Sequence, residues 1–103
     1  MQVYNKLVRD NIPQIIENNG EKPITRVLDN DEYGTQLKTK LQEEVNEFLQ
    51  DETIEELADI LEVVHGLLQY KGKTFDDLEK VRKDKFDKRG GFAKKIFLER
   101  VED

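Results

Sequence analysis

Between Ile54 and Leu68 the chain reads IEELADILEVVHGLL, and its apolar residues cover well over half of a helical wheel. A helix that is apolar over most of its circumference has to be covered on several sides. The chain that must supply this cover has only 103 residues, 36% hydrophobic and 39% charged. That is one domain. It carries too much periodic apolar sequence to stay disordered, yet it is small enough that any core built from one copy is thin. These constraints together predict an all-α helical bundle that is oligomeric.

Local signals divide the rest of the chain. Residues 1–11 lack helical period and read as an extended or irregular arm. Pro13 suits the first turn of a short helix over 12–18, and Asn19-Gly20 ends it. Asn30 or Asp31 can cap the next helix. Leu37, Leu41, Val45, Phe48 and Leu49 then follow at helical spacing, which predicts a helix over 31–50. Thr53-Ile54-Glu55-Glu56 has the form of a capping box and opens a helix over 54–70, stopped by Gly72. Only about three residues join these two helices, so they should form an antiparallel hairpin. Thr74 and Asp77 open a further helix over 75–88, broken by Gly90-Gly91. The β-branched run 24–28 and the alternating segment 95–100 could pair as a minor two-stranded ribbon.

Charge and composition exclude several functions. There is no Cys, so no disulfide scaffold, zinc finger or thiol nucleophile, and the composition suits a reducing cytoplasmic setting. No apolar run approaches the roughly 18–20 residues of a membrane span, and the opening MQVYNKLVRD has no signal-peptide core. A net charge of −6 disfavours nucleic acid as a partner. The charge is unevenly spread. Residues 41–62 hold nine acidic side chains and no Lys or Arg, while residues 80–100 hold nine basic against three acidic.

Within the acidic block, two pairs at i, i+3 stand out: Glu44 with Glu47, and Glu56 with Asp59. On the first wheel Glu44 lies about 20° beyond the apolar edge at Leu37, and Glu47 about 60° further. On the second, Glu56 projects between Val63 and Leu67, inside the apolar arc, and Asp59 lies about 40° past its edge. Across the hairpin, Glu47 is level with Glu56 and Glu44 with Asp59. Four carboxylates near an apolar seam repel one another and resist desolvation. A hard divalent cation relieves both, and Mg²⁺, with Mn²⁺ as a substitute, suits an all-oxygen site completed by substrate phosphates. Carboxylates at this spacing on facing helices are a known way to build such a site. Capping by Glu56 competes with ligation for the same side chain, and its apolar position favours ligation. His65 reads as a core or interface histidine.

These residues resemble the metal-binding pattern of the MazG-type all-α nucleoside triphosphate pyrophosphohydrolases, a superfamily that includes the phosphoribosyl-ATP pyrophosphohydrolases. Tyr4-Asn5-Lys6-Leu7-Val8-Arg9-Asp10-Asn11-Ile12-Pro13 and Lys88-Arg89-Gly90-Gly91-Phe92 look like its small house-cleaning branch. The resemblance implies hydrolysis of a nucleoside triphosphate to monophosphate and pyrophosphate with Mg²⁺. It carries Glu44, Glu47, Glu56 and Asp59 over as metal ligands, and it implies a dimer or tetramer. Only eight residues separate Glu47 from Glu56, fewer than in many relatives, so a base-selecting insertion at this point is absent.

A triphosphate is itself anionic, so the carboxylates need a metal bridge and the phosphates need cations. Lys6, Arg9, Lys85, Lys88 and Arg89 are the candidates, with Arg suited to bidentate phosphate contacts. Either Glu44 or Glu47 could take a proton from the attacking water. Two other readings use the same fold: phosphoribosyl-ATP hydrolysis, and a non-catalytic helical oligomerisation or regulatory module.

Overall fold

A computed structural model describes all 103 residues and contains four helices and no strand: α1 (Ile12–Asn18), α2 (Asn30–Asp51), α3 (Ile54–Tyr70) and α4 (Phe75–Arg89). The chain is therefore all-α, and each helix lies within a residue of its expected span. None is long and apolar enough to cross a membrane.

The helix ends follow from local chemistry. Asp29, rather than Asn30 or Asp31, caps α2, its Oδ1 accepting the Glu32 backbone N–H at 2.8 Å. This places Asp31 and Glu32 in the first turn, where the helix dipole favours negative charge. Arg26 holds the Glu32 carboxylate through two bonds, at 2.8 and 3.2 Å, and so ties the preceding extended segment to the start of α2. At the other end Glu52 adopts φ +55°, the left-handed conformation that reverses the chain within two residues. Its N–H donates to the Phe48 carbonyl. Thr53 then caps α3 through the Glu56 N–H. Thr74 and Asp77 form the complete reciprocal box at the start of α4, and Gly90, at φ +79°, ends that helix.

The body of the protein is the α2–α3 hairpin. Its seam holds Leu37 and Val63, 4% and 8% exposed. Two glycines set how closely the helices approach. A β-carbon on Gly34 would come within 2.5 Å of the Tyr70 ring, and one on Gly66 within 2.9 Å of Leu37 Cδ2. Tyr70 meets Tyr33 edge to face at 6.0 Å, a favourable aromatic arrangement. Helix α4 touches only α3, and α1 packs on no other helix. His65 and Phe75 stack where α3 and α4 meet, with ring centroids 5.0 Å apart, which gives His65 its expected packing role.

The ribbon expected from 24–28 and 95–100 is not formed. Neither segment takes up regular structure or pairs with the other, Lys95 is in the left-handed region at φ +61°, and Ile24, Val27, Ile96 and Phe97 are each more than 80% exposed. A lone two-stranded ribbon is marginal in water unless its apolar face is packed, and here neither face has anything to pack on.

Little of the chain is covered. Only four residues are buried, and the accessible surface is 9631 Å², against about 6,000 Å² for a compact monomer of this mass. The radius of gyration is 18.3 Å and the longest extent 64 Å, whereas a compact chain of this length has a radius near ~13 Å.

The close seam yields a stability prediction whose sign is informative. On helix propensity alone, Gly66→Ala should stabilise α3 by about 1 kcal/mol. Leu37, however, is buried and cannot retreat, so the overpacking cost of about 1–3 kcal/mol prevails. The variant should show a lower urea midpoint than the parent, and a higher midpoint would disprove the close packing at Leu37.

Candidate metal centre

Three carboxylates meet where α2 faces α3. One oxygen each from Glu44, Glu56 and Asp59 lies within 4.8 Å of the others. Glu44 is held on α2 one turn before Phe48, and burial of the seam leaves it only 7% exposed. Glu56 reaches the cluster from the first turn of α3. Its backbone N–H donates to Thr53 Oγ1 at 3.3 Å, but its carboxylate does not return to the Thr53 N–H. It turns into the cluster instead, and so the competition between capping and clustering goes to the cluster. Asp59, one turn further along α3, completes the group.

The charges are only partly compensated. Lys40 Nζ lies 3.3 Å from Glu44 Oε1 and 3.4 Å from Glu43 Oε2. Arg9 Nη2 donates to Asp59 Oδ1 at 2.7 Å, and Arg9 Nη1 lies 4.0 Å from Glu62. Glu44 Oε2 and Glu56 Oε2 are both buried with no hydrogen-bond partner. Burial of Glu44 is the main reason that its pKa is raised above the usual 4.5; the adjacent Glu47 carboxylate raises it further, and Lys40 opposes the rise. Two orphaned carboxylate oxygens aimed into a cluster of hard oxygen donors fit a cation of the Mg²⁺ or Mn²⁺ type.

The expected residues divide into groups. Glu44, Glu56 and Asp59 converge. Glu47 lies beside Glu44 but is exposed and outside the triad, so the cluster is built from one residue of α2 and two of α3 rather than from two level pairs. Arg9 reaches the site, though through Asp59. Lys6 sits over the Tyr4 ring, 5.6 Å from its centroid. Lys85 makes no ion pair, and Lys88 pairs along α4 with Asp84 at 3.1 Å. Arg89 lines a shallow hollow with Phe86, Gly91 and Phe92, away from the carboxylates. The sequence reading missed Lys40. Its signal was the i, i+4 spacing to Glu44, which puts the two side chains on one helix face.

The raised pKa of Glu44 has a defined consequence. A carboxyl whose pKa is raised by folding stabilises the fold fully only below its unfolded value, and loses that contribution as pH climbs through the raised value. The charged form of Glu44 therefore strains the seam. Glu44→Gln should melt at a higher temperature than the parent at neutral pH without divalent cations, with the gap narrowing below about pH 4.5. Circular dichroism melts at acid and neutral pH check this, and a lower neutral-pH melting temperature for the variant would contradict it.

No family model and no solved structure matches the chain. Over 42 residues it is 50% identical to a protein of Mycolicibacterium smegmatis described as uncharacterized, a match covering 41% of this chain and 43% of that protein. The chain is thus similar to less than half the length of this relative.

Proposed function

We propose that the protein is a divalent-cation-dependent nucleoside triphosphate pyrophosphohydrolase acting as a homodimer or homotetramer. The observation that carries this reading is the buried Glu44 carboxylate, with one oxygen lacking any partner, facing Glu56 and Asp59 across the hairpin. A carboxylate in that position costs stability unless a cation or proton compensates it. The motif resemblance at Tyr4–Pro13 and Lys88–Phe92 adds the phosphate chemistry, and neither feature alone specifies a substrate.

In this reading Glu44, Glu56 and Asp59 hold Mg²⁺ or Mn²⁺. When bound, the cation polarises a phosphoryl oxygen and lowers the pKa of a coordinated water. Glu47, exposed beside Glu44, is placed to accept the proton of the attacking water, with Glu44 as the other candidate. Arg9 has a double part. Its guanidinium now offsets the charge of Asp59, and once another cation does so it can turn to a substrate phosphate. Lys6, Lys85, Lys88 and Arg89 are the remaining phosphate-facing cations. Oligomerisation is supported by the excess of exposed surface, since α3 can be covered by a second copy where its own chain leaves it bare.

The test is pyrophosphate release from natural, oxidised and deaminated nucleoside triphosphates, and from phosphoribosyl-ATP, with Mg²⁺ or Mn²⁺. Turnover on at least one nucleoside triphosphate is expected. Failure on all of them would remove the enzymatic reading in favour of a non-catalytic helical module. Glu56→Gln and Asp59→Asn should each lower the rate by at least ~100-fold, the upper range for groups that merely support a metal ligand. Both should keep the helical circular dichroism of the parent, and full activity in both variants would refute the ligand assignment.

A further inference from the structure

One face of α3 has no partner. Val63 points into the α2 seam, and Leu61 lies about 160° round the helix from it. Leu61, Leu57 and Ile54 form an apolar stripe on that far side, 46%, 44% and 72% exposed. Glu55 and Glu62 flank the stripe along one edge.

A second unpartnered segment has the opposite flanks. Ile96, Phe97, Leu98 and Val101 are 81%, 87%, 73% and 82% exposed; Lys94 and Lys95 precede them, while Arg100 is paired with Glu102 and Glu99 lies beside it. Within the chain these two surfaces do not meet. Every ion pair made by the basic residues of 80–100 is local: Arg82 with Glu79, Lys83 with Asp87, Lys88 with Asp84, and Arg100 with Glu102. The acidic block 41–62 is reached only by Arg9 and Lys40. Helices α2 and α4 make no contact, and residues 80–103 are exposed throughout.

We infer that residues 94–101 form an exchanged arm that seats on the Ile54–Leu57–Leu61 face of α3 in a second copy of this chain. Apolar meets apolar, and Lys94 and Lys95, which make no ion pair within the chain, come to the acidic rim that includes Glu55 and Glu62. A second copy fits better than an unrelated partner because both halves of the match are on this sequence. Reciprocal exchange about a two-fold axis satisfies each copy at once. Such charge complementarity fixes register, while the apolar contact supplies affinity. The exchange also gives the 95–100 segment the packed face that a free strand lacks. The inference rests on the oligomeric part of the proposed function and specifies which surfaces build it.

The absence of native cysteine allows a direct test. Light scattering of the full chain at micromolar concentration should give a multiple of 12.1 kDa; a mass of 12.1 kDa would overturn both the arm and the oligomer. Full-length Leu98→Cys and Leu57→Cys chains, mixed and oxidised, should form a mixed disulfide dimer faster than Leu98→Cys mixed with Glu17→Cys. Equal rates would overturn the arm while leaving the oligomer standing. So would an intrachain bond as the main product of the doubly substituted chain. Phe97→Asp should weaken assembly about 30-fold or more, as loss of an aromatic anchor does, with helicity unchanged because the side chain touches little in its own chain. Unchanged assembly in this variant would also reject the arm.

Discussion

Helix α3 offers apolar side chains in nearly every direction, and α2 can cover only one of them. Val63 and Leu37 close the seam, with Gly34 and Gly66 allowing the helices to come near. On the opposite side Ile54, Leu57 and Leu61 remain in water, each apolar side chain there forgoing about 25 cal/mol for every Å² left uncovered. The short turn at Glu52 fixes this geometry, because a connection of so few residues can only bring α3 back along α2. The remainder of the chain cannot complete the cover. Helix α4 meets α3 at the His65–Phe75 stack and then runs on exposed. The molecule is therefore a well-defined hairpin carrying appendages, and its remaining apolar faces are the surfaces on which other parts of its behaviour depend.

The same seam that excludes water also determines the electrostatics of the carboxylates. Glu56 and Asp59 alone, on an exposed helix, would be ordinary solvated side chains. Close packing of α2 brings Glu44 against them, and one oxygen of Glu44 and one of Glu56 lose their water. Lys40 and Arg9 answer part of the charge from two directions, one from within α2 and one from residues far away in sequence. Arg9 thereby anchors the otherwise extended arm of residues 1–11 to α3. Both cations are monovalent and neither reaches the orphaned oxygens, so the cluster keeps an uncompensated negative field.

The helices were legible because their signals are local and repeated. Apolar spacing located α2 and α3, and Thr53, Thr74, Gly72 and Gly90 marked their ends. The shift of the α2 cap from Asn30 or Asp31 to Asp29 is a contest between adjacent residues of nearly equal capping ability. Glu44, Glu56 and Asp59 were legible because a wheel combined with a short turn places them in both angle and height. Glu47, about 80° from the apolar edge on an ideal wheel, stays exposed and meets the cluster through Glu44 alone, whose carboxyl it influences. The Arg9–Asp59 pair joins residues 50 apart, and no period or spacing reports a contact of that range. The missing ribbon has the same cause: alternation can identify a strand, but not whether a surface exists to stabilise it.

The charge at position 44 is costly to the seam that holds it. Glutamine at position 44 would keep the length and shape of the side chain, could donate to the neighbouring carboxylates of Glu56 and Asp59, and would remove the charge whose burial raises the pKa. Lys40 could then remain in solvent rather than 19% exposed against α2. The charged residue is the less stable choice for a free-standing hairpin: Lys40 offsets part of the charge at Oε1, and Oε2 is left without a partner. A proton supplies the compensating charge below the raised pKa of Glu44. A divalent cation, if one binds as proposed, would supply it without protonation and would leave coordination positions open to an anionic ligand. The excess acidity of residues 41–62 is in this respect compatible with a polyanionic small molecule even though it opposes a polyanionic polymer. The polymer must lie along the whole acidic surface, whereas the small molecule need only meet the one place where a bound cation would offset that surface's charge.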